Sequence, residues 1–172
     1  MKYTYESSEM FLSMARKEYE SEKERAAALD SKIAFSLPVV SAYFFLLAQD
    51  ANIQKLWPAI TENGYSIENV RLFLVLLPYV AAVVTAFLSL FWMIHATWTH
   101  NFKELDIMQS NNAKVMSMSR ELFSARIAID YVKQVEKNRT ANGRRSREYQ
   151  TGWIFGIVSL VCFLTYTVAQ WL

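Results

Sequence analysis

Residues 72–102 read LFLVLLPYVAAVVTAFLSLFWMIHATWTHNF, 31 positions without one Asp, Glu, Lys or Arg. A helix needs about 20 apolar residues to cross a hydrocarbon core about 30 Å thick, and this stretch exceeds that length. The span itself is placed at 72–95. Two further uncharged segments flank it at a distance, Ile33–Gln49 and Tyr149–Leu172. The last matches a membrane crossing and is bracketed by Trp153 and Trp171. Their separation corresponds to about 27 Å of helix, which would put one indole in each interfacial belt. The first reaches only about 25 Å, with Pro38 near its start and Lys32 able to snorkel and complete the crossing. A re-entrant or interfacial helix is the alternative for that segment.

The chain is 53% hydrophobic and 20% charged, with the two classes in separate blocks. A soluble amphipathic helix would interleave them at a 3.6-residue period. The net charge of +2 implies no polyelectrolyte partner, and no nucleic acid is expected. A single cysteine, Cys162, excludes an internal disulfide and a CxxC knuckle. Seven acidic residues in the first thirty do not read as a cleavable signal peptide.

Of 18 Lys and Arg residues, six precede Ile33, ten lie between Lys103 and Glu148, and two lie in the connector 50–71. The positive-inside rule then places segments 1–32 and 96–148 in the cytoplasm, and connector 50–71 and the C-terminus outside. Trp57-Pro58 and Asn63-Gly64 read as turns in that connector. The expected fold is an all-α integral membrane protein. Three transmembrane helices (33–49, 72–95, 149–172) follow a long N-terminal cytoplasmic helix (1–32), and a heptad-patterned cytoplasmic helix separates spans two and three.

From Glu6 to Asp30 the chain has no Gly or Pro and is rich in Glu, Lys, Arg and Ala, so it predicts one helix running into the first span and bending near Pro38. Phe11, Ala15, Tyr19, Ala26, Leu29 and Ile33 form a loose stripe on it, interrupted by Glu22. Between the second and third spans, Met108, Val115, Leu122 and Ile129 repeat every seven residues. Asn111, Met118, Ala125 and Val132 follow three residues behind. This is an a/d seam flanked by Lys114, Glu121, Arg126 and Lys133. The seam serves either a coiled coil between copies or an antiparallel pairing with the N-terminal helix, because a heptad identifies a buried face but not its partner. Arg139–Arg147, with Gly143 among its arginines, reads as a hinge. There Arg144, Arg145 and Arg147 would meet anionic headgroups, at about 1 kcal/mol each.

Gly152 and Gly156 form a GxxxG at the start of the third span, with Ser159 on nearly the same face. Small residues let helix backbones approach closely in lipid, and the three are read as an oligomer interface. Ser41, Thr85 and Ser89 are read as satisfying backbone carbonyls rather than lining a wet path. Catalysis finds little support. His95 and His100 are five apart and do not share a helix face as i,i+4 ligands would. No Gly-rich phosphate loop, GxSxG or HExxH occurs. Glu18, Glu20, Glu22 and Glu24 read as a solvated helix face. No enzyme, cofactor or metal site is expected. A coupled carrier would need ionisable groups at membrane depth, and the spans hold no Asp, Glu, Lys or Arg.

The arrangement as a whole, together with the Asp30-Ser31-Lys32 entry to the first span and the Asn138-x3-Asn142 spacing before the third, resembles the small membrane effectors of bacterial anti-phage systems. The resemblance is to the Pycsar transmembrane type and the related SLATT-like proteins. It implies a multi-pass protein of the bacterial inner membrane that homo-oligomerises on an infection signal and disrupts membrane integrity. Membrane lipid and a cytoplasmic defence-system protein would be its partners. The alternative is a non-conducting membrane anchor or sensor that docks a cytoplasmic partner.

Overall fold

The computed structural model describes residues 5–49, 67–98 and 118–171. The connector turns, His100, Met108, Asn111 and Val115 lie outside them. The described residues form three helices: α1 Tyr5–Ala48, α2 Ile67–Trp98 and α3 Arg120–Trp171, of 44, 32 and 52 residues. Each contains a stretch long and apolar enough to cross a membrane. Only 22%, 22% and 17% of those apolar windows are buried within the chain, so most of their surface needs a non-aqueous surround. The all-helical reading stands for the described residues, with three helices able to span a membrane.

Local chemistry explains the length of the helices. Arg16 pairs with Glu20 one turn on, at 3.0 Å. Ser31, Ser36, Ser41 and Thr85 each donate to the carbonyl four residues back, which keeps their hydroxyls from competing with the helix. α1 continues through Pro38 and α2 through Pro78. Ser119 caps α3: the Leu122 amide donates to its Oγ at 3.5 Å, and Glu121 sits in the positive first turn. The heptad segment is therefore not helical throughout, since Met118 lies in a bend before the cap. The expected hinge is also absent, because Arg139–Arg147 lies inside α3 without a break. A lone glycine costs a helix about 1 kcal/mol against alanine, too little to end one this long.

The chain divides into two compact units, Met1–Ser31 with Thr99–Ser146, and Lys32–Trp98 with Arg147–Leu172. α1 and α3 contribute to both. In the first unit α1 and α3 run parallel: Glu9 meets Arg120 at 2.8 Å, Tyr19 meets Tyr131 edge-on, Glu22 meets Arg139, and Asp30 meets Arg145. In the second they are again parallel, through Ser36–Tyr149 at 3.0 Å and Tyr43–Ser159 at 3.2 Å. There α2 runs antiparallel to both. Tyr79 donates to the Leu47 carbonyl at 2.5 Å, Ser89 to the Gly152 carbonyl at 2.7 Å, and Ser159 to the Ala82 carbonyl at 2.6 Å.

Candidate functional site

The buried positions repeat every seven residues. On α1 of the first unit they are Ser8, Ala15, Glu22 and Leu29, with Leu12, Tyr19 and Ala26 beside them. On α3 they are Ser124, Asn138 and Arg145, with half-buried Tyr131 in the same register, and Ala128, Val135 and Asn142 beside them. A 3.5-residue period keeps one seam facing a parallel partner. This corrects one of the two expected readings, the antiparallel pairing of that heptad with α1 in the same chain. The pairing is parallel, not antiparallel, and it does not use Leu122, Ile129 and Val132, which are 64%, 49% and 39% exposed. Ala125 is half-buried.

The upper half of this seam is polar. Asn142, 3% exposed, donates through Nδ2 to the Glu22 backbone carbonyl at 3.0 Å and to Glu22 Oε2 at 3.1 Å. The other carboxylate oxygen of Glu22 accepts from Arg139 Nε at 3.3 Å, and Arg25 lies 3.7 Å away. Arg139 also reaches Glu18 at 3.8 Å. Three residues beyond Asn142 on α3, Arg145 is 2% exposed and donates through Nη2 to Asp30, whose carboxylate is half in solvent. Asn138, also buried, completes the layer. A buried carboxylate is tolerated only when its lone pairs are met, and here one helix supplies the acid and the other the donors. Such a layer fixes which helix pairs with which and in what register.

The glycines of the third span lie against α2. An added Cβ on Gly152 would lie 2.9 Å from Met93 Cγ and 3.2 Å from the Ser89 carbonyl oxygen; on Gly156 it would lie 3.2 Å from Ser89 Oγ. Ser159 is fully buried. The close approach read from GxxxG is present, and within the chain the face it offers is already occupied by α2. Ala82, Ala86 and Ser89 supply the matching small surface. Arg145 is removed from the headgroup set, being buried against Asp30, while Arg144 and Arg147 are exposed. In the second unit His95 Nδ1 lies 3.2 Å from Glu148 Oε2, and this carboxylate is nearly buried.

Glu22 was legible only as a flaw in an apolar stripe. The signal that could have placed it is the polar heptad Ser124, Tyr131, Asn138 and Arg145, which continues as Gly152, Ser159 and Tyr166. No protein-family model matches the chain, and neither a curated protein nor a solved structure shows significant similarity to it.

Proposed function

We propose that this chain is a membrane effector of a bacterial anti-phage system, which oligomerises and disrupts inner-membrane integrity on an infection signal. The first unit and the N-terminus face the cytoplasm in this reading, in line with the sixteen basic residues on that side. The observation that carries it is the double membership of α1 and α3. The same two helices form a polar-layered pair in one unit and supply two of the three candidate spans in the other. A signal that repacks the Glu22–Asn142 layer acts on helices that also sit in lipid. Arg144 and Arg147 would hold anionic headgroups beside the third span.

The test is a membrane-potential dye in cells carrying the chain with its neighbouring genes, before and after phage challenge. Depolarisation that appears on challenge and changes its threshold in Asn142→Leu supports the effector. Intact potential throughout, with a stoichiometric soluble protein retained after mild detergent extraction, would instead establish a non-conducting anchor.

A further inference from the structure

Leu122, Ala125, Ile129 and Val132 lie about 100° around α3 from its seam with α1. That seam leaves Leu122 and Ile129 64% and 49% exposed and Val132 39% exposed, with Ala125 half-buried between them. α1 extends the same surface. Glu18 and Arg139, which meet at 3.8 Å, mark one side of the helix pair. One heptad earlier those two positions are Phe11 and Val132, with Met14 next to Phe11. Phe11 and Met14 are 46% and 59% exposed. Among its described residues the first unit thus carries an apolar strip on one side of both helices, with Phe123 exposed apart from it.

We infer that this strip is covered by a second copy of the chain, whose α3 lies parallel against the first along Leu122, Ala125, Ile129 and Val132. This rests on the oligomeric reading above and names its contact. Two observations select the occupant. First, α3 carries both the strip and a candidate span, so copies inserted the same way hold their α3 helices parallel and at one depth. The identical strips then meet in register. Second, the charges at the rim match that arrangement alone. With Leu122 and Ile129 at a and Ala125 and Val132 at d, Glu121 occupies g and Arg126 the following e. In a parallel pair g faces the next e of the partner helix. Glu121 of each copy thus meets Arg126 of the other, twice per dimer. Both are exposed, and neither makes an ion pair among the described residues.

The test is disulfide trapping of the full chain in native membranes, with Cys162→Ala as background. Ala125→Cys and Val132→Cys should give dimers on mild oxidation. Asp130→Cys and Lys137→Cys, exposed on the other side of α3, should give at least several-fold less. In the Val132→Cys chain, Glu121→Arg or Arg126→Glu alone should cut the dimer several-fold, and the two together should restore it. Restoration cannot come from a chain that merely misfolds. Equal trapping at 130 and 137, or a double swap no better than either single one, overturns the inference. Trapping along the strip without depolarisation leaves this contact standing and removes the effector reading. Depolarisation without trapping does the reverse.

Discussion

The two units fill one seven-residue frame with opposite chemistry. In the first unit the seam between α1 and α3 ends in Glu22, Asn138, Asn142 and Arg145. In the second, the same spacing on α3 brings Gly152, Gly156 and Ser159 against Ala82, Ala86 and Ser89 of α2. The difference is the one that lipid around the second unit and water around the first would produce. In water an apolar seam forms readily but specifies its partner poorly, and a satisfied polar layer supplies the selection at some cost in stability. In lipid, burying apolar side chains gains nothing over contact with acyl chains. Close backbone approach and interhelical hydroxyl–carbonyl bonds remain to hold helices together. The first unit is specified by which groups are paired, the second by how near two backbones come.

The sharpest way to break the contrast is Gly152→Leu. With Met93 and the Ser89 carbonyl already within contact of an added Cβ, the side chain must push α2 from α3. A loss of about 3 kcal/mol or more is expected, since overpacking alone commonly costs 1–3. A large fall in the detergent melting temperature, partly recovered by adding Met93→Ala, is the expected record. An unchanged melting temperature would show that the close approach is not needed. In the first unit, Asn142→Ala should cost about 1–3 kcal/mol by stranding buried Glu22 acceptors. Arg139→Ala, which removes a largely exposed partner of the same carboxylate, should cost under about 1. Equal melting shifts for the two would mean that burial does not set the value of the layer.

Gly143→Ala should act in the opposite direction. A Cβ there meets nothing within 4 Å, and the residue is helical. Melting should therefore report a gain of about 0.5–1 kcal/mol. A loss would indicate that Gly143 has a packing or bending role. The smallest effect is expected of Ser159→Ala, which removes the bond to the Ala82 carbonyl. Interhelical bonds in membranes average about 0.6 kcal/mol, so a shift well above that would mark Ser159 as more than one clasp among several.

Much of the fold was readable from residue types because bilayers penalise unpaired charge severely. Three uncharged segments, interrupted only by polar stretches, leave few arrangements. GxxxG was also legible as a close-approach motif, since small side chains permit close contact whatever the partner. Its partner was not legible, because α2 of the same chain and a neighbouring copy offer lipid-facing surfaces of similar composition. The polar layer was harder to see. Glu22 interrupts an apolar stripe, Asn138 and Asn142 look like surface polarity, and Arg145 looks like one more basic residue beside a membrane. Each becomes a core residue only when its counterpart on the other helix is known. The apolar heptad through Leu122 and Ile129 is real as a pattern, yet α1 pairs with a seam about a third of a turn away.

By itself, then, the sequence determined that the chain is helical, that three of its stretches are long and apolar enough to cross a membrane, and where its charge lies. These are single-segment properties, set by the transfer of side chains from water and by the need of every backbone group for a partner within its own helix. Only the tertiary structure decided the parallel pairing of α1 with α3, which of two heptad faces is buried, and that Gly152 packs on Met93 and Ser89. Those choices depend on pairs of residues about a hundred positions apart or on different helices. A buried Glu22 is costly alone and acceptable against Asn142 and Arg139, and no property of either segment taken singly carries that information.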